Sequence, residues 1–232
     1  MRITYIPIII KKELKLYFNS PIAYIVIVIF LIISGFFYSR PLFVQNFATL
    51  RYYFELLPLF LLFFVPAVTM RIYSEEYKTG TIEIMFTLPF NKLEILLGKY
   101  LASTLVILLA MALTLLYPFS LIFLGRLDIG ATIAGYLGTV FLCLFYTSVG
   151  VFSSSFTKNQ VVSFIVTFFI LFIFFILGKI SMFIPAAISY AGIDLHYENF
   201  IRGVVDFRSV VFFISLSMLF LYLTYLSTSK EK

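Results

Sequence analysis

Apolar runs recur along this chain, separated by short polar segments, and their lengths set the first expectation. Pro21 to about Tyr38, Leu56 to Ile72, Gly98 to Leu124, Ala131 to Phe156, Gln160 to Ile184 and Ser209 to Ser227 each approach or exceed the roughly 20 residues that a helix needs to cross a hydrocarbon core. The pattern predicts an all-α polytopic membrane protein with six transmembrane helices, forming one domain over residues 1–232.

Ahead of the first run, Ile3, Ile6, Ile10, Leu14 and Tyr17 recur at helical spacing with Lys11, Lys12 and Lys15 opposite them. That is the pattern of a helix lying in the membrane interface, here from Arg2 to Asn19 with Pro7 near its start. Ser20 and Pro21 then supply an N-cap and a first-turn proline for the next helix. Cleavage of this region as a signal peptide is not expected, because the lysines lie far from the N-terminus and more spans follow. After Arg40 and Pro41 an outer loop is expected to run through Arg51 and Glu55, and Pro58 and Pro66 are expected to kink the second span.

The densest charge falls between the second and third runs, from Met70 to Tyr100, in a stretch expected to form a charged hairpin. Gly80 breaks the segment after Glu75 and Glu76. Thr81 to Leu88 then predicts a short amphipathic helix with Ile82, Met85 and Phe86 on one side and Glu83 on another, stopped by Pro89. Asn91 is the expected N-cap of the following helix, with Glu94 at the capping-box position.

The ordered series Met70, Arg71, Glu75, Glu76, Lys78, Gly80, Thr81, Glu83, Thr87, Pro89, Gly98 and Lys99 resembles the cytoplasmic coupling region of ABC transporter permeases of the type-2 exporter class. Within that class the chain is most similar to the gliding-motility-associated branch. The resemblance covers nearly the whole chain and implies a cytoplasmic coupling helix gripped by a separate ATPase subunit. Its implied ATPase-coupling residues are Glu75, Glu76, Gly80, Thr81, Ile82, Glu83, Met85, Phe86 and Pro89. It further implies a second permease protomer, an accessory membrane protein as a further partner, and residence in a bacterial cytoplasmic (inner) membrane.

Between the fifth and sixth runs, Pro185 to Ser209 is too polar to span and too apolar to stand free in water. Ile188, Tyr190, Leu195, Phe200, Val204 and Val205 could enter the outer leaflet, so a re-entrant or interfacial hairpin is expected. His196, Glu198, Phe200, Gly203, Asp206 and Arg208, with Arg202 among them, also resemble the same permease branch. Family members often carry an acidic residue where Ser209 stands here, which leaves the local pairing open.

Composition sharpens this picture. The 232 residues are 62% hydrophobic and 12% charged, with a mean hydropathy of +1.07, more apolar surface than one water-soluble core could bury. With both termini inside, eleven cations fall inside (Arg2, Lys11, Lys12, Lys15, Arg71, Lys78, Lys92, Lys99, Lys158, Lys230, Lys232) and six outside (Arg40, Arg51, Arg126, Lys179, Arg202, Arg208). The positive-inside rule therefore places both termini and the charged hairpin in the cytoplasm. The net charge of +6 is spread over short loops, which suits an anionic leaflet and not nucleic acid.

Candidate chemistry within the chain is sparse. Cys143 and His196 are the only cysteine and histidine, which rules out a cysteine metal cluster, an intrachain disulfide and an HExxH site. Every carboxylate is expected at a span end or in a loop, so no ion relay crosses the spans. Lys179 reads either as a lysine snorkelling to the surface or as a substrate contact. Gly98-Lys99 lacks the upstream glycine and following hydroxyl of a phosphate-binding loop. No cofactor is therefore expected on this chain, with ATP and magnesium held by the partner ATPase. A non-transporting membrane scaffold remains the alternative reading, separable by whether a co-purified ATPase is stimulated.

Overall fold

The computed structural model describes residues 5–44, 49–82, 91–124, 127–180 and 190–230. Ten helices occur among them. These are α1 (Ile6–Asn19), α2 (Pro21–Val44), α3 (Arg51–Thr69), α4 (Ser74–Thr79), α5 (Lys92–Leu113), α6 (Leu116–Leu124), α7 (Ile129–Ser154), α8 (Gln160–Lys179), α9 (Ile193–Ile201) and α10 (Phe207–Lys230). The described residues contain no strand. Six stretches are long and apolar enough to cross a membrane: α2, α3 with α4, α5 with α6, α7, α8 and α10.

Helix α7 stands at the centre, packed on α3, α5, α8, α9 and α10. Its sequence explains that position. Small and hydroxyl-bearing residues such as Gly135, Gly138, Thr139, Cys143, Thr147, Ser148 and Ser153 are buried along it, and small side chains let neighbouring backbones approach closely in a bilayer. The hydroxyls satisfy themselves locally, as Thr147 Oγ1 donates to the Cys143 carbonyl at 2.6 Å and Ser153 Oγ to that of Val149 at 3.0 Å. Helix α2, by contrast, leaves Ile25, Ile29, Ile32 and Phe36 exposed at the bundle's edge.

Several expected boundaries shift. Pro41 lies inside α2, which runs on to Val44, and Arg51 and Glu55 belong to the first turns of α3, paired at 3.0 Å. A run of hydropathy ends at the first charge, whereas a helix ends only where its backbone hydrogen bonds stop, and an i,i+4 ion pair extends it. Helix α3 continues through both Pro58 and Pro66. Lys92, Glu94 and Lys99 are helical residues of α5 and not part of a loop.

The third span is broken where no break was expected. The helix is interrupted at Thr114 and Leu115, four residues before Pro118, which has no N–H to give the Thr114 carbonyl. That carbonyl accepts instead from the Tyr117 N–H at 2.9 Å, which tightens the turn, and from Tyr136 Oη on α7 at 2.9 Å. Below Pro118, Tyr38 on α2 stacks on Tyr117 with ring centroids 4.5 Å apart.

Helix α9 also differs from expectation. Phe200 is not turned to lipid but fully buried, against Gly138 of α7, and Tyr197 Oη lies 2.9 Å from Thr139 Oγ1 in the core. The apolar side chains left exposed here are Tyr190, Leu195, Val204 and Val205, while Ile188 lies outside the described residues.

Candidate functional site at the charged end of the bundle

One end of the bundle gathers α1, the α3–α4 turn, the start of α5 and the ends of α7 and α10. Lys92 Nζ donates to the Thr228 carbonyl at 3.0 Å, tying the start of α5 to the last span. The expected local signals operate here. Ser20 Oγ accepts from the Ile22 N–H at 3.4 Å as α2 begins, and the Asn91 N–H donates to Glu94 Oε2 at 3.0 Å, completing one arm of the capping box. Gly80, with φ 73°, closes α4 in the left-handed region that favours glycine.

At the centre is Lys99, 1% exposed. Its Nζ lies 2.8 Å from Glu76 Oε1 on α4 and 3.0 Å from Glu13 Oε1 on α1, and it donates to the Ile72 carbonyl at 3.1 Å. The ammonium also stands 5.1 Å from the centroid of the Tyr73 ring. Lys12 approaches from the surface, 3.5 Å from Glu76 and 3.6 Å from Glu13, so two carboxylates meet two ammonium groups. A buried charge left without a partner is heavily penalised, which makes this set an interdependent unit.

Close packing makes the unit possible. A Cβ at position 98 would stand 2.6 Å from Ile9 Cγ2, so glycine there lets α1 lie directly on α5. The buried stripe of α1 is Ile9, Glu13 and Tyr17, which shares Tyr17 with the expected Ile3, Ile6, Ile10, Leu14 and Tyr17 line but not Ile6, Ile10 or Leu14, while Ile3 lies outside the described residues. Glu13 is buried because Lys99 meets it. Tyr17 Oη donates to the Val68 carbonyl at 3.0 Å, and burial, reinforced by the Glu13 carboxylate, raises its pKa and keeps it a donor.

The turn into α4 is fixed twice more. The N–H groups of Tyr73 and Ser74 donate to Ser154 Oγ on α7 at 2.8 and 3.2 Å. Arg71 reaches Glu75 at 3.2 Å and Ser20 Oγ at 3.1 Å. Between α1 and α4 lies a cleft of about 330 Å³, with Lys12, Glu13, Arg71, Glu75, Glu76 and Thr81 among its lining residues.

Of the residues the resemblance singled out, Glu75, Glu76, Gly80 and Thr81 sit together on this face. Ile82 is adjacent but 6% exposed and packed into the chain's own core, so it does not project outward. Glu83, Met85, Phe86 and Pro89 lie outside the described residues. Glu13 and Ser154 were not singled out by sequence, while Tyr17 was read only as an apolar-stripe position and Lys99 only as the end of the ordered series, neither as part of this joint. The available signal was a lysine and a glutamate at positions that their helices would otherwise fill with apolar residues.

At the opposite end, Lys179 pairs with Asp194 at 2.7 Å, joining α8 to α9. His196 stacks on Phe212 with centroids 3.9 Å apart, and Ser209 Oγ lies 3.4 Å from both His196 Nδ1 and Asn199 Nδ2. Glu198 and Arg202 form an exposed pair at 2.5 Å. Gly203 has φ 85° in the turn after α9, and Asp206 Oδ1 accepts from the Arg208 N–H at 2.9 Å.

Six spans, five of them arranged about the small-residue helix α7, with a charged joint at one end, define a multi-pass integral membrane protein. The family described as ABC-2 family transporter protein matches residues 37–193, more than half of the chain, and the chain belongs to that family. Its place is that of the membrane component of an ABC transporter, which works with an ABC ATPase. No curated protein matches the chain.

Proposed function

We propose that this chain is the permease subunit of an ABC exporter whose partner ATPase docks on the end of the bundle that carries α1 and α4. The observation behind this reading is the convergence, beside the cleft between α1 and α4, of Glu75, Glu76, Gly80 and Thr81, the same positions that carry the resemblance to the coupling region. The resemblance assigns Glu83, Met85, Phe86 and Pro89, which lie outside the described residues, to the same contact. The eleven-to-six division of cations supports a cytoplasmic location for this end and for both termini. Two such permeases working with two ATPase subunits, and kinship with the gliding-motility-associated branch, follow the same ordered residues. ATP and magnesium belong to the partner, since the Lys99 ammonium is committed within this chain.

The test is ATP turnover of the reconstituted complex. Glu75→Lys and Phe86→Ala should lower permease-stimulated turnover without reducing membrane insertion. Phe123→Ala, at a 76% exposed apolar position on the far end, should leave turnover unchanged. Equal turnover in all three would overturn the docking site, and an ATPase that binds without being stimulated would indicate a scaffold.

A further inference from the structure

Three charged side chains are buried among the described residues, Glu13, Glu94 and Lys99. Glu94 serves the cap of α5. Glu13 and Lys99 have no part in the proposed ATPase contact, yet they bind each other 86 residues apart in sequence. Burying such a pair is not in itself a route to stability, because desolvation offsets the attraction. Its distinctive property is geometric, since neither partner can move away alone.

Helix α4 shows why that property matters. It has six residues and ends on a left-handed glycine, and a helix of this length has no independent stability. A force applied beyond Gly80 would be absorbed by deforming α4 unless α4 were fixed to a longer helix. Lys99 provides that attachment, because its ammonium engages Glu76 on α4, Glu13 on α1 and the Ile72 carbonyl in the turn, while its own helix has 22 residues. At the adjoining position Gly98 lets Ile9 rest against the α5 backbone.

We propose that Lys99 is a positioning residue that fastens both α4 and the N-terminal helix α1 to the start of the third span, so that a displacement at the coupling segment is delivered to α5 and carries α1 with it. The proposal rests on the ATPase-docking reading for the source of the force. The fastening itself is a property of this chain and can be tested without that source.

The decisive variant is Glu13→Gln/Lys99→Met in the complete complex in nanodiscs. It removes one charge of each sign and leaves Glu76 with Lys12 at 3.5 Å. Spin labels at Thr79→Cys and Leu101→Cys, in a Cys143→Ala background, report the distance between α4 and α5. The native cluster should give one narrow distance distribution, unchanged when ATP is trapped on the partner. The variant should give a broad distribution, with stimulated ATP turnover reduced about tenfold at unchanged ATPase affinity. A purely structural role would lower affinity and turnover together and would overturn the proposal.

Glu13→Gln alone, with labels at Leu16→Cys and Leu101→Cys, should release α1 and broaden only that distance, and it serves if the double variant does not fold. Narrow distributions in both variants would overturn the fastening. If Glu75→Lys leaves ATPase docking and turnover intact, the docking reading fails, whereas the ATP-free distances still decide the role of Lys99.

Discussion

The hydroxyl of Tyr136 on α7 donates to the Thr114 carbonyl at 2.9 Å, the carbonyl that Pro118 leaves without its helical N–H donor. The same carbonyl also accepts from the Tyr117 N–H at 2.9 Å, so Tyr136→Phe removes one of its two bonds and should destabilise the protein by about 1 kcal/mol, the net worth of one hydrogen bond. In a Pro118→Ala background the restored N–H can take over, so the same change should cost less. Denaturation of the four proteins in one detergent measures the difference. An equal cost in both backgrounds would mean that Tyr136 does not substitute for the missing donor.

The contact between Gly98 and Ile9 makes an independent prediction. With a Cβ at position 98 placed 2.6 Å from Ile9 Cγ2 and 2.8 Å from its Cβ, Gly98→Val forces α1 away from α5. Overpacking of this kind costs about 1 to 3 kcal/mol. Ile9→Ala should recover part of that loss in the double variant, although alone it destabilises. Additive losses in the thermal midpoints would show that the two residues do not share the site.

Much of the fold was legible because transmembrane helices announce themselves through uninterrupted hydropathy. Ser20-Pro21, Gly80 and the Asn91–Glu94 pair were legible because each acts over four residues or fewer. What escaped the sequence depends on distant partners. Glu13 weighed against the true buried stripe of α1, since nothing near it in sequence reveals Lys99. Phe200 reads as a lipid-facing residue until Gly138 is seen to receive it. The break at Thr114 required Pro118 to be read together with Tyr136, eighteen residues further on a different span. The candidate site was legible as a list of charged and small residues, but the joint that holds them was not.

His196 gives a pH dependence at the other end. Burial lowers its pKa from 6.5, with the Tyr190 carbonyl and Asp206 acting in the opposite sense. The unfolded chain therefore takes up this proton at a higher pH than the folded one. The associated stability is fully present above pH 6.5 and declines as the pH falls below it. His196→Gln should flatten this part of the stability profile between pH 7.5 and 5. A profile unchanged by the substitution would assign the dependence to other groups.

The orientation of the bundle can be decided by labelling. Lys78 and Lys158 are exposed at the charged end, and Asp128 and Glu198 are exposed at the other, so single cysteines at these four places sample both ends with little disturbance to packing. The native Cys143 is fully buried, so it contributes little background even before replacement. In intact cells a membrane-impermeant maleimide should modify Asp128→Cys and Glu198→Cys and spare Lys78→Cys and Lys158→Cys. After permeabilisation all four should react, which shows that the protected positions were accessible on the inner side. Modification of Lys78→Cys from outside would invert the bundle and place α1 and α4 beyond the reach of a cytoplasmic ATPase. Modification of Lys78→Cys and Glu198→Cys together would mean that the six helices do not all cross.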